Sequence, residues 1–445
     1  MIPLSKVCDA ADWFELDVLD VIQRELGELP RFHRKQWEFA MVFRALKRLG
    51  LLTPSGVGLS MGGGRELLLY AVARHVRELV VTDLYDPHTT WAEARTDDPD
   101  RFIKEGKPFP VDDARLRALR MDMRQLEFPD ETFDFAYSAC AVEHIGEWAD
   151  FLRHLGEVHR VLKPGGVYVF TTELHYGRET IEHPNNYVFS PDYLAELFAA
   201  SRFTPGQDCP CAIAPHRANM PLPENLAGFY ALQGDEMAAR LKAELPHVQL
   251  LRGQFPHSSA LFVLTRAPEG RRDSQGIGFP GLESSRDFLA AGIGEYRTWI
   301  ESSSLCIDPL GYLPGGYSRF VEGEREPVTP SDATDPTVFH SQYLWLGSGR
   351  RRFSARLEPA GGRTLRGSVE VRVHRYRTLG RIDVDCPASA VIQLAGQDGG
   401  PVSGELSLDV DPEHCYAFLG HMRDGDARFQ RVRIDSAPAK ATCAR

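Results

Sequence analysis

Short apolar runs separated by helical stretches organise residues 56–267. The runs are Val57–Met61, Leu79–Thr82, Leu116–Met121, Phe133–Ser138, Val167–Thr172, Val248–Leu251 and Ala260–Leu264. Helical spacing occupies Glu66–His75, Ala149–Leu162 and Pro191–Ala200 between them. Brief apolar runs bounded by turn residues read as buried strands. Strands joined through helices need crossover connections, which predicts a doubly wound, mainly parallel α/β sheet. The last two runs, in VQLLRGQFPHSSALFVLTR, stand too close for a crossover and predict an antiparallel end to that sheet.

The flanking regions read differently. Residues 1–50 read as helices, with Trp37, Phe39, Ala40, Phe43 and Leu46 near one face and Gly50 as a stop. That helix is expected to cover a sheet edge, or else to roof a ligand pocket. The sheet domain is expected over 51–267. Residues 268–330 form a polar linker rich in Gly and Pro, with one helix at Arg286–Ile300. From 331 to 445 SVEVRVH, GRIDVD, SAVIQLA and GELSLDV alternate apolar and polar positions. About eight short strands without a helix predict an all-β sandwich domain.

Composition narrows the setting. The 445 residues are 43% hydrophobic and 25% charged, a globular mix with core enough for more than one domain. No apolar run is long enough to span a bilayer, and the N-terminus lacks an apolar signal core. The net charge of −11 opposes binding to a long nucleic-acid backbone. Arg350–Arg352 is read as a solvated strand edge. The eight cysteines include no C-x-x-C pair, so reduced thiols in a cytoplasmic protein are expected, with Cys209 and Cys211 as structural thiols and no metal site.

Candidate chemistry begins in GLSMGGGRELLLYAVARHVRELVVTDLYD. A strand ends at Met61, three glycines follow and a helix starts near Glu66. Glycines let a backbone turn sharply and approach a ligand closely. Asp83, at the tip of the next strand, suits a ribose diol. Together they point to an adenosine-containing ligand. A third strand ends before Asp122, PDETFD leads into the fourth, and a Lys-Pro-Gly-Gly turn precedes the fifth.

The phrases FPDETFDFAYS, AVEHIGE and EVHRVLKPGGVYVFTTE, in that order, resemble the class I S-adenosylmethionine-dependent methyltransferases, type 11 branch, over about residues 34–267. The resemblance implies a seven-stranded sheet with an antiparallel last strand and S-adenosyl-L-methionine as cofactor. It also implies roles position by position. Gly62 and Gly64 pass under the methionine part, Asp83 holds the ribose and Asp122 the adenine amino group. The Met123 backbone lies beside the ring, and Ser138–Ala141 borders the sulfonium. Two positions depart from the family. Ser60 stands where an acid is usual, and Glu66 replaces the third glycine. Glu66 either binds the cofactor's ammonium in place of the missing acid or merely complements the helix dipole.

The methyl on a sulfonium is already activated, so the protein has to align a nucleophile and take its proton. His144 and Glu143 follow the fourth strand, at the ligand-binding end of such a sheet, and Glu173 and His175 follow the fifth. His144 is the first candidate base. The irregular stretch His183–Pro223 is expected to form a substrate lid. A hydroxyl on a small-molecule or carbohydrate-containing acceptor is the expected target. The alternative is a non-catalytic binding or assembly protein on the same fold, using the C-terminal sandwich for partners. An NAD-dependent oxidoreductase is disfavoured by Asp122 and the Lys-Pro-Gly-Gly entry.

Overall fold

Strand and helix alternate from Val57 onward in the computed structural model, as the apolar pattern predicts. The structure describes residues 3–89, 91–183, 186–223, 245–267 and 276–302, and the segments 305–307, 319–320, 327–328, 337–340, 345–359, 366–377, 380–381, 384–393, 402–426 and 429–438. Cys443 and much of the expected linker fall outside them. The chain divides into two compact units. One comprises Met1–Pro221, Pro246–Leu250 and Pro256–Leu289, and the other Leu222–Leu245, Leu251–Phe255 and Ala290–Arg445.

In the first unit the elements are β1 (Lys6–Val7), α1 (Arg34–Arg48), β2 (Val57–Met61), α2 (Leu67–Ala73), β3 (Glu78–Asp83), α3 (Pro99–Glu105), β4 (Leu116–Arg120), β5 (Phe133–Ala139), α4 (Trp148–Val161), β6 (Leu162–His175), α5 (Pro191–Ala200) and β7 (Phe255–Thr265). The central order is β4-β3-β2-β5-β6-β7. Neighbours from β4 through β6 run parallel, whereas β7 runs antiparallel to β6 from His257 opposite His175 to Thr265 opposite Val167. This is a mixed sheet of the Rossmann-like kind.

Both faces of the sheet are covered, which explains why its strands read as continuous apolar runs. Leu79, Val81, Phe135, Tyr137, Val167 and Val169 join one core with α1 and α2. Val80, Ala136, Tyr168 and Phe170 join the other with Phe151, Leu155 and Val158 of α4. Helix α4 opens with a reciprocal capping box between Glu147 and Asp150, which satisfies two N–H groups that would otherwise lack partners.

Several sequence expectations change here. Helix α1 packs on β5 and β6 rather than on a sheet edge, and every residue from Gln36 to Leu46 is buried. Lys6–Val7 is not helical but pairs with Ala260–Leu261. Lys163–Gly166, expected as a turn before the fifth strand, bulges within β6, because Leu162 pairs with Phe133 and Val167 with Phe135. Asp98 caps α3, with Pro99 in its first turn, a helix not anticipated from the pattern. The run Val248–Leu251 forms a strand only at Leu250–Arg252.

The described part of His183–Pro223 is packed rather than lid-like. Val188 and Phe189 are fully buried, α5 lies within it, and Asn219 bonds Asp9. Cys209 and Cys211 are buried free thiols whose amides donate to the carbonyls of Gly278 and Pro280.

The expected helix is present within Leu282–Ser302, of which the part to Leu289 belongs to the first unit and the rest to the second. Strands β8 (Gly349–Pro359), β9 (Arg366–Arg377), β10 (Val384–Gln393), β11 (Val402–Val410), β12 (His414–Asp426) and β13 (Phe429–Pro438) form antiparallel sheets. Val369, Val371 and Val373, two apart on β9, share an apolar core with Phe353, Leu408 and Phe418. The arrangement is sandwich-like. Arg350–Arg352 is not a sheet edge, since β8 pairs with β11 on one side and β13 on the other, and Arg351 is buried. Among the described residues no helix is long and apolar enough to cross a membrane.

Candidate functional site

The sheet order reverses between β2 and β5, because β3 and β4 extend to one side of β2 and β6 and β7 to the other. In an open α/β sheet the crevice outside the strand C-termini at such a switch point is where ligands bind. Residues around this point carry the candidate chemistry.

The loop after β2 approaches its surroundings through glycine. Gly62 has φ +60° and Gly64 φ +44°. A Cβ on Gly62 would lie 2.4 Å from the Cβ of Ala141, so only glycine fits. The N–H of Gly64 donates to Asp83 Oδ2 at 2.8 Å, and the N–H of Leu84 donates to Oδ1 at 2.7 Å. Burial raises the Asp83 carboxyl above the usual carboxylate range, and these two N–H groups act against that rise. Each oxygen keeps acceptor capacity for a further donor.

Asp122 lies beside it. Met121, next after β4, donates its N–H to the Asp83 carbonyl at 2.9 Å. The Asp122 carboxylate receives the Arg124 guanidinium at 2.6–3.1 Å, and this pairing holds its carboxyl below the usual range. Arg124 also donates to the Ile145 carbonyl at 2.9 Å, tying the β4 end to the segment after β5. Met123 is buried, and its carbonyl accepts from His154 Nδ1 at 3.0 Å.

At the end of β5, Ser138 is buried and Cys140 adopts φ +50°, a left-handed conformation that disfavours side chains. The Cys140 N–H donates to the carbonyl and the hydroxyl of Thr171, both at 3.0 Å. Burial pushes its thiol well up, so it is not a thiolate nucleophile. Glu143 is buried and accepts from Thr172 Oγ1 at 2.9 Å, and burial raises its carboxyl pKa. His144 is only partly buried, with its ring edge-on to Trp91 at 5.4 Å between centroids. Trp91 comes from the loop after β3 and is 63% exposed.

The two candidates expected after the fifth strand lie within the end of β6, and they differ. Glu173 reaches the same edge but is committed to an ion pair with Arg34. His175 is buried with Nδ1 hydrogen-bonded to the Glu179 carbonyl, and burial drops its pKa to about 4. A buried imidazole of such low basicity is a poor proton acceptor, so His175 is a structural residue rather than a base.

The pattern of motifs missed Arg34, Lys35 and Glu38, which α1 carries to the strand ends. Arg34 pairs with Glu173 and donates to Ser259 Oγ at 3.1 Å and Glu38 Oε1 at 3.3 Å. Lys35 Nζ donates to the Ala139 carbonyl at 2.8 Å and pairs with Glu66 at 3.0 Å and Glu38 at 3.3 Å. Glu66 is the N-cap residue of α2, yet its side chain makes no capping bond to the helix. Its carboxyl is raised to about 7 by burial, with Lys35 opposing the rise. A signal was present: Arg34 and Lys35 stand in the first turn of a helix without an acid there, where the helix dipole disfavours cations.

Comparison with known proteins supplies the wider context. Residues 59–170 match the family model for a methyltransferase domain, type 11. Over 72 residues the chain is 35% identical to a sterol 24-C-methyltransferase of Neurospora crassa, covering 16% of this chain and 18% of that one. The chain thus spans under a fifth of that relative's length. Among solved structures, a putative sarcosine dimethylglycine methyltransferase from Galdieria sulphuraria aligns with 15% identity and a TM-score of 0.36, over 52% of this chain and 85% of that one. Geranyl diphosphate C-methyltransferase from Streptomyces coelicolor A3(2) aligns with 15% identity and a TM-score of 0.35, over 59% and 88%.

Proposed function

Residues 59–170 form a type 11 methyltransferase domain of the class I, S-adenosylmethionine-dependent kind, and from that premise we propose that the protein transfers a methyl group from S-adenosylmethionine to a hydroxyl of a small-molecule or carbohydrate-containing acceptor. The observation that carries this reading is the meeting of the Gly62–Gly64 turn, Asp83, Asp122 and His144 around one switch point.

The residues fit the cofactor. Gly62 and Gly64 let the loop pack directly against Ala141 and Glu93, an approach that any Cβ would block. Asp83 retains acceptor capacity for the ribose hydroxyls, and Asp122 retains it for the adenine amino group beside Met123. Ser138 lies under the β5 end that borders the reacting region. Once bound, the cofactor supplies a methyl group on a cationic sulfur.

The chain then has two tasks, alignment of the acceptor and removal of its proton. His144 takes the proton at its imidazole. Glu143, its buried neighbour in the chain, interacts electrostatically with His144. Glu173 acts through its pairing with Arg34 and does not receive the proton. The Trp91 ring stands edge-on to the His144 ring. The sandwich-like second unit is assigned to recognition of the acceptor's glycan part, by analogy of architecture alone.

The test is transfer of labelled methyl groups to a panel of hydroxyl-bearing small molecules and glycosides. With a productive acceptor, His144→Ala lowers turnover about 10²-fold. Equal turnover removes His144 from the mechanism, and labelled amines in place of ethers overturn the hydroxyl assignment.

A further inference from the structure

Trp91 is 63% exposed, yet the segment that carries it is held in place. It belongs to the connection between β3 and α3. The Asp86 N–H donates to the Ala94 carbonyl at 3.1 Å and closes this connection into a loop, and the Ala94 N–H donates to the Trp91 carbonyl at 3.0 Å. The Trp91 N–H donates to Thr89 Oγ1 at 3.3 Å, and Arg95 Nε donates to the Thr89 carbonyl at 2.9 Å. Both ends of the loop rest on Gly64. Tyr85, which is buried, donates its hydroxyl to the Gly64 carbonyl at 2.8 Å. The Glu93 carbonyl packs so close to Gly64 that a Cβ there would come within 2.9 Å of it.

A large apolar ring kept in water gains nothing from burial. Held on an ordered loop, it is a preorganised surface for something else. Its aim is set by its neighbour, the candidate base. The Trp91 and His144 rings meet at 5.4 Å between centroids and 64° between planes. Such a contact occupies at most one face of the indole, and the exposure leaves the other face open. An open indole face beside a proton acceptor matches a ring that carries a hydroxyl. The flat side of that ring buries apolar surface on the indole, while hydroxyls at its rim stay free to reach the imidazole. An open-chain alcohol has no flat side and loses more rotamer freedom in lying against one.

We propose that Trp91 is the acceptor platform: a six-membered ring bearing the hydroxyl to be methylated stacks on its open face, with that hydroxyl directed at His144. The inference rests on the methyltransferase reading and narrows its acceptor to ring alcohols and phenols, with Trp91 as a specificity-determining residue. Aromatic rings and pyranoses share this chemistry, since both present a flat face and carry their hydroxyls at the rim.

The experiment is titration of the full chain, saturated with S-adenosylhomocysteine, with phenol, methyl glucoside and the open-chain polyol sorbitol, read by saturation-transfer NMR. One of the two ring probes is expected to bind about tenfold or more tightly than sorbitol, and which of them does so separates aromatic from sugar acceptors. Trp91→Ala is expected to weaken that probe about tenfold while leaving sorbitol and S-adenosylhomocysteine within about twofold, and Trp91→Phe to keep the probe within about threefold. Retained S-adenosylhomocysteine binding also shows that the alanine variant folds. The inference is overturned if neither ring probe is preferred over sorbitol, or if Trp91→Ala keeps the preference. It is equally overturned if Trp91→Ala weakens S-adenosylhomocysteine tenfold, which would make the indole a cofactor contact. Failure of the wild-type chain to bind S-adenosylhomocysteine would instead overturn the methyltransferase reading itself.

Discussion

Met121 donates its backbone N–H to the carbonyl of Asp83 at 2.9 Å, so the two acid-bearing strand ends are stitched together. Arg124 extends this link by gripping the Asp122 carboxylate and the Ile145 carbonyl at once. Arg124→Met is therefore expected to weaken cofactor binding about tenfold, since Asp122 and the His144 segment lose a shared anchor. Fluorescence titration of the nearby tryptophans measures this. Wild-type affinity in the variant would mean that Asp122 needs no anchoring.

Gly62 makes a second test. At φ +60°, with Ala141 where its Cβ would go, Gly62→Ala meets both backbone strain and overpacking. A loss of about 1–3 kcal/mol in unfolding free energy is expected, together with loss of cofactor binding. Urea denaturation reads the first, and a variant as stable as the parent would contradict the geometry of the turn.

Arg34 bridges α1, β6 and β7 through Glu38, Glu173 and Ser259. Its removal leaves two carboxylates buried with no guanidinium between them. Arg34→Met is expected to cost about 3–5 kcal/mol of stability, the usual penalty for breaking a buried pair from one side. Arg34→Lys should recover part of the loss but not all, because an ammonium lacks the planar fork. Equal stability of both variants with the parent would show that the network is not structural.

His154 predicts the acid limb of stability. Its Nδ1 donates to the Met123 carbonyl, its Nε2 accepts from the Tyr168 hydroxyl, and burial lowers its pKa to about 4. The unfolded chain takes up this proton near the ordinary histidine value, while the folded chain refuses it until about pH 4. Stability is thus complete above the ordinary value and falls as pH drops toward 4, by about 3 kcal/mol for this one group. His154→Gln should shallow that slope by about one proton. An unchanged slope would mean that the imidazole is charged in the fold.

The parts of this molecule that were readable in the sequence are those encoded by neighbouring residues. The strand, glycine turn and helix around Met61–Leu67 are contiguous, and Asp83 and Asp122 each end a strand whose apolar run is visible. The sandwich-like unit was readable because Val369, Val371 and Val373 repeat every second position. What escaped depends on distant partners. Arg34 meets Glu173 and Ser259, and Lys35 meets Ala139, only after the sheet has assembled. His175 looked like a candidate base by position, but its burial comes from packing that no local pattern reveals. The expected lid read as irregular because its Pro and Asn residues punctuate short elements that pack, as Val188 and Phe189 do.

The central claim is that Asp83 and the glycine turn seat the adenosyl group of S-adenosylmethionine. Its most direct test is titration of the full chain with S-adenosylmethionine, beside the Asp83→Asn variant. The account predicts saturable binding at one site per chain, weakened about tenfold or more by the substitution. Absence of binding at millimolar cofactor, or equal affinity in Asp83→Asn, would contradict it.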